Sequence, residues 1–339
     1  MPLYRYILRR IVFVIPLLIG ITLAAFMIAN LVPADPINAN LPQSQLNNPE
    51  IVAAFRERWG LDRPLPEQYL TYLSNLLRGD FGTSIKTRQP IGADIARYLP
   101  ATIELATYSL IVGVGFGVGL GLLSAVRRNS IWDFLARGLS LIGISVPVFL
   151  LALIGLSVLY VQLDLVAGPG RLDFTMSEPP FVTGLLTIDA ALAGEWQVWQ
   201  SAVAHLVLPS LVLGLYISGL ISRVTRSSML EVLSSDYLRT ARSKGLAERP
   251  VVLRHAFRNA LVPIITVIGL SYGSLLSGAV LTETIFAWPG IGRYMFRAST
   301  SQDFPAIMGV SLLIAFIYVL VNLGVDILYY FVDPRIRAA

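Results

Sequence analysis

Cysteine is absent from the 339 residues, which excludes a disulfide framework and a thiolate metal site. Charge is scarce: Asp, Glu, Lys and Arg make up 14% of the chain, against ~25% in an ordinary soluble domain. Lysine occurs only at Lys86 and Lys244, and histidine only at His205 and His255. No glycine run leads into Gly-Lys-Ser/Thr, so the chain carries no phosphate-binding loop and is not expected to hydrolyse ATP. What fills the place of charge is apolar: 55% of the residues are hydrophobic, which points to lipid as the solvent. The net charge of +5 comes from arginines that cluster beside apolar runs, the positive-inside pattern of membrane proteins and not a nucleic-acid surface.

Six apolar runs follow. Arg5, Arg9 and Arg10 precede Ile11–Leu31, which is long enough for a span of ~20 residues and is read as an uncleaved first helix kinked at Pro16. Residues 32–99 are polar and rich in turn signals, an ordered extracytoplasmic segment. The second span, Ala101–Val126, holds Gly113, Gly115, Gly117, Gly119 and Gly121, overlapping small-xxx-small pairs that let another helix approach closely. The third covers Trp132–Gln162 with a kink at Pro147. The loop Asp164–Gln200 is acidic, with Arg171 its only cation, and is placed outside. The fourth runs Ala202–Ile221, the fifth Ala260–Leu281 and the sixth Ala306–Phe331, with a tail at residues 332–339. Six spans with both termini cytoplasmic satisfy every arginine cluster at once.

Between the fourth and fifth spans lies the densest basic segment, 223–259. Within it, Asp236-Tyr237-Leu238-Arg239-Thr240-Ala241-Arg242-Ser243-Lys244-Gly245 reads as a short helix. Ser234, Ser235 or Asp236 is expected to cap it and Gly245 to close it. Leu233, Tyr237 and Ala241 recur every four residues and form an apolar face with no core of its own to enter. That face suits docking to another protein; the alternative is a basic loop resting on anionic headgroups.

Other constellations carry less. Gly269-Leu270-Ser271-Tyr272-Gly273 matches a nucleophile elbow, but it lies within a span and has no histidine at its depth, so helix packing is the better reading. His205 and His255 lack further donors for a metal and are read as an interfacial and a loop histidine. Glu104 and Glu283 fall near span ends and are expected at the interface, with an outer gate as the second reading. No ionisable residue sits at a midplane, and neither half repeats the other, which argues against a self-powered secondary carrier. Asn30, Ser271, Ser274, Ser277 and Asn322 are the polar positions that could line a path.

The stretches Thr225–Leu233, Asp236–Leu246 and His255–Pro263, with Leu281-Thr282-Glu283-Thr284-Ile285-Phe286-Ala287-Trp288-Pro289-Gly290-Ile291-Gly292-Arg293, Gly79–Ser84 and Asp333–Arg337, resemble the permease subunits of ABC importers for dipeptides, oligopeptides and nickel. The likeness is strongest to the B-type dipeptide permeases and spans nearly the whole chain. It implies an all-α membrane protein with the type I importer permease fold: six transmembrane helices and an extracytoplasmic insertion between the first two. Its parts would be 1–31, 32–99, a five-helix core 100–331 and the tail. It implies a non-catalytic subunit of the bacterial inner membrane. The implied partners are a homologous second permease, two ABC ATPase subunits that bind ATP and Mg, and an extracytoplasmic substrate-binding protein. The resemblance makes residues Tyr237–Gly245 a coupling helix, with Arg239-Thr240-Ala241 where the general pattern has Glu-Ala-Ala and Pro263 further from the glycine, as in the peptide branch. Relatives carry oligopeptides, nickel chelates, glutathione or haem as well as dipeptides. A pure membrane scaffold is the remaining alternative of another class.

Overall fold

The computed structural model describes residues 12, 14–24, 26, 27, 37, 41, 43–59 and 63–332. The basic N-terminus, Asn30 and the tail Asp333–Arg337 lie outside the described residues. Among the described residues there is no strand, only an isolated bridge between Thr83 and Pro90.

The first helix among the described residues is the apolar α1 (Val14–Ala24). The segment after it holds α2 (Pro49–Trp59) and α3 (Leu65–Leu77). Tyr69 of α3 returns to α1, where its hydroxyl lies 2.9 Å from Thr22 Oγ1. Helix α4 (Ile91–Val126) begins ten residues before the expected span and carries Pro100 inside it. At ~1.5 Å per residue its 36 residues reach about 54 Å, well beyond a hydrocarbon core of ~30 Å, so its ends project. The expected boundary at 99/100 therefore falls within one continuous helix.

Asn129 turns the chain with a left-handed φ of 61°, and Ser130 caps α5 (Ile131–Ser145) by accepting from the Asp133 amide. The single kinked third span expected here is a break. α5 and α6 (Val148–Gln162) meet at 100°. Proline forces the residue before it out of the helical region, and Val146 is extended at φ −88°, ψ 126°. The acidic loop holds the short α7 (Leu186–Ala193). Helix α8 (Trp196–Leu233) is the central rod. It buries Leu206, Leu213, Ile217 and Ile221 against α4 and the later helices.

The short α9 (Asp236–Ser243) precedes α10 (Glu248–Leu276), whose Val251–Ala256 stretch is π-helical. The fifth apolar run is not one helix. It stops at Leu276, turns at Gly278 with φ 96°, and resumes as α11 (Val280–Ile285). A side chain at Gly278 would also be 2.9 Å from Gly292. Helices α12 (Ile291–Thr300) and α13 (Phe304–Val332) complete the fold. Helices α4, α8, α10 and α13 are each long and apolar enough to cross a membrane, and the bent α5–α6 pair makes a fifth candidate.

Close approach at glycine organises the packing. A Cβ at Gly113, Gly117 or Gly121 would sit 2.4–2.7 Å from Ile217, Ile221 or Thr225 of α8. Gly115 and Gly119 meet nothing within 4 Å. The small stripe is thus every fourth residue on one face of α4. The same logic holds for the elbow-like motif: Gly269 and Gly273 admit Val325 and Tyr318 of α13. Ser271 is 6% exposed, so the motif is a helix contact.

Candidate functional site

Two regions at opposite ends of α8 concentrate the polar side chains. The first is α9. Neither Ser234, Ser235 nor Asp236 caps it: Ser235 stands at the N-cap without a side-chain bond, and Ser234 Oγ donates to the Glu231 carbonyl. Gly245 closes the far end at φ 77°, as expected. The apolar face does have a core to enter. Leu238 is fully buried among Ala125, Met229, Val251, Val252, Ala256 and Ile264, contributed by α4, α8 and α10. Leu233 and Ala241 pack at the edge of this cluster, while Tyr237 is 44% exposed. Burying a leucine is worth ~1.5–3 kcal/mol, enough to hold an eight-residue helix that could not persist alone.

What α9 leaves free is the opposite face. Asp236, Arg239, Thr240, Ser243 and Lys244 are exposed. Asp236 and Arg239 approach to 3.6 Å, a solvent-bathed pair that contributes little. Arg242 donates through Nε and Nη2 to Glu248 at 3.1 and 2.8 Å. The guanidinium holds the Glu248 carboxyl below its ordinary range. Behind this end, Asp133 of α5 is fully buried and accepts from Ser124 Oγ at 2.5 Å, from Arg226 Nε and Nη2, both at 3.1 Å, and from the Asn129 amide at 3.0 Å. This staple ties α4, α5 and α8 together. From sequence Arg226 stands in the basic segment 223–259 and in the stretch Thr225–Leu233 that carries the resemblance; its buried partner Asp133 is not legible there.

The second region is the opposite end. Glu104 is 3% exposed, held inside the protein. Its Oε2 pairs with Arg171 at 2.5 Å, and its Oε1 accepts from the Thr187 amide and hydroxyl at 2.8 and 2.7 Å. Glu283 is likewise no surface residue, being fully buried. It accepts from Thr102 Oγ1 and from the Arg293 amide, both at 2.8 Å. Its carboxylate thus sits at the N-terminus of α12, where free amides favour negative charge. A Cβ at Gly290 would be 2.5 Å from that carboxyl, so the loop can wrap it only with glycine. Burial nonetheless pushes the Glu283 carboxyl up, against the donors that pull it down. Trp288 closes the network: its indole donates to the Ala101 carbonyl at 2.8 Å, and the Arg171 guanidinium lies 5.6 Å from its ring. The signals for Arg171 and Glu283 were present, as the lone cation of an acidic loop and the acid ahead of Trp-Pro-Gly. Their partners were not legible.

The remaining path candidates separate. Ser277 and Asn322 line one cleft of about 460 Å³ with Ser311, Tyr318, Leu17 and Ile21. Ser274 is exposed and Ser271 is buried. His205 is buried, with Nδ1 2.8 Å from the Ser201 carbonyl. Among the described residues no three His, Asp or Glu converge as a metal site.

Comparison with known proteins covers nearly the whole chain. Residues 117–338 match the family described as binding-protein-dependent transport system inner membrane component, and residues 3–106 match its N-terminal companion. The dipeptide transport system permease protein DppB of Escherichia coli strain K12 is 44% identical over 336 residues, 98% of each chain. That of Alkalihalophilus pseudofirmus is 43% identical over 332 residues, 98% of this chain and 99% of the relative. The glutathione transport system permease protein GsiC of Salmonella paratyphi A is 37% identical over 334 residues, again 98% and 99%.

Proposed function

The chain belongs to the family of binding-protein-dependent transport system inner membrane components, and from that premise we propose that it carries dipeptides or short peptides and is driven through α9. It is a non-catalytic permease subunit of an ABC importer, and ATP is hydrolysed by a separate subunit. Such a system includes a partner permease, an ATPase and a substrate-binding protein. We take the assembly to be one copy of this chain, one homologous permease, two ATPase subunits holding ATP and Mg, and one binding protein. Counting α1 and the bent α5–α6 pair as spans gives six transmembrane helices. Residues 32–99 then form the extracytoplasmic insertion, with both termini and 223–259 cytoplasmic. The peptide assignment is supported by relatives named for dipeptides at 43–44% identity, against 37% for the one named for glutathione.

The observation that carries the coupling reading is the division of α9 into a plugged face and a free one. Leu238 enters the core, while Arg239, Thr240 and Ser243 remain exposed. The ATPase would grip the free face, so contacts fall to Asp236, Arg239, Thr240, Ser243 and Lys244. Tyr237, Leu238, Ala241 and Arg242 serve as the attachment, and Gly245 ends the helix. Alternating access follows when the nucleotide states of the ATPase favour different positions of α9. Ser277 and Asn322, which share a cleft, are the path positions kept; Glu104 and Glu283 would brace the outer gate rather than meet substrate.

Arg239→Glu tests the docking face. Exposed as Arg239 is, the change should leave thermal stability within ~0.5 kcal/mol. Association of the ATPase subunits should weaken about tenfold, as for a reversed charge at an interface. Unaltered ATPase association in purified complexes would remove this face from the interface.

A further inference from the structure

Helix α9 is fastened to the bundle at more than Leu238. The Tyr237 hydroxyl donates to the His255 carbonyl at 3.3 Å and accepts from Asn259 Nδ2 at 2.7 Å. Asn259 Nδ2 also donates to the same carbonyl, at 3.0 Å. These three groups close a small polar ring between the first turn of α9 and the first turns of α10. The ring lands at a particular place. His255 belongs to the π-helical stretch Val251–Ala256, and Asn259 lies one turn on, four residues before Pro263. Proline has no N–H to give the Asn259 carbonyl, and a π stretch already interrupts the regular ladder. Interruptions of both kinds are where helices bend.

A single buried leucine is a pivot. An eight-residue helix held only there can turn about it when pushed from its free face. A second attachment off that axis removes the rotation and passes the push into α10. The Arg242–Glu248 pair is a third, but its side chains are 40% and 58% exposed and it adds little.

We infer that Tyr237 and Asn259 are positioning residues for coupling: they lock α9 to the start of α10, so that force on the exposed face bends α10 at its π stretch and Pro263 instead of swinging α9 on its loop. Neither residue touches substrate or nucleotide in this role. The inference rests on the coupling reading above and adds to it a residue outside the α9 segment, Asn259.

The test uses the complete importer, reconstituted with its ATPase subunits and binding protein. Asn259→Ala suits it, because alanine is a strong helix former at an exposed helical site. ATPase association and ATP hydrolysis should persist, while peptide moved per ATP hydrolysed should fall about fivefold, the factor of one net hydrogen bond. Tyr237→Phe should lower the same ratio, and the double variant should be no worse than either single one, since the two act through one ring. An unchanged ratio in Asn259→Ala, or losses that multiply in the double variant, would overturn the inference. Release of the ATPase by Tyr237→Phe would also overturn it, by making Tyr237 a contact, yet would leave the docking reading intact. Failure of the docking reading would show separately, as Arg239→Glu complexes that keep their ATPase.

Discussion

At the end of the bundle that holds residues 84–104 and 283–303, carboxylates turn inward. Asp94, Glu104, Glu283 and Asp303 are each at most 5% exposed. Each accepts from another element: Asp94 from Tyr294 at 2.9 Å, and Asp303 from Ser84 Oγ at 2.6 Å and the Lys86 amide at 3.0 Å. At the α9 end the charges of the short helix point away, with Asp236 and Arg239 at 92% and 80% exposure. Among the described residues at this end, Asp133 repeats the buried arrangement. The difference separates two jobs. Groups that have already satisfied one another make a stiff frame, because each would be costly to leave unpaired. Groups still facing water are the ones available to a second protein.

The frame can be broken first where its charge is deepest. Glu104→Ala leaves the Arg171 guanidinium, 13% exposed, without its carboxylate, and should cost ~3–5 kcal/mol in thermal unfolding of the purified chain. A loss no larger than that of Arg239→Glu would erase the distinction between the two ends. Asp189 offers a finer test. Burial pushes its carboxyl up, but bonds from the Thr183 hydroxyl and from the amides of Thr183, Gly184 and Val182 outweigh it and hold the carboxyl below its ordinary value. A depressed carboxyl stabilises above its unfolded pKa of ~3.9, and that stability is lost as pH falls through the lower folded value. Protection of the Thr183 and Gly184 amides, relative to intrinsic exchange at each pH, should therefore fall in acid. Asp189→Asn should remove this dependence and cost ~1–3 kcal/mol locally.

Helix type and the reasons for close packing were legible because they depend on neighbours in sequence. Four-residue glycine spacing put Gly113, Gly117 and Gly121 on one face and Gly115 and Gly119 on another, without choosing between them, and Gly245 stood where a helix must stop. Pro147 announced a bend, though not its size. What escaped were pairings across long separations. Glu104 meets Arg171 67 residues away, and Thr102 meets Glu283 181 residues away, which no local window can show. The stripe Leu233, Tyr237, Ala241 is split, because Leu233 ends α8 and the chain turns at Ser234 and Ser235 before α9 begins, so only Leu233 and Ala241 reach the edge of the buried cluster. The register instead turns Leu238, the one large aliphatic residue of the helix, into the bundle.

The absence of cysteine gives the most direct test of the account. Thr240→Cys places a single thiol on the free face of α9 in an otherwise unreactive chain. A membrane-impermeant maleimide should label it in inverted vesicles and not in intact cells, and the bound ATPase should protect it. Labelling from outside the cell, or labelling in inverted vesicles that the ATPase leaves unchanged, would contradict the claim that this face is where the transporter is driven.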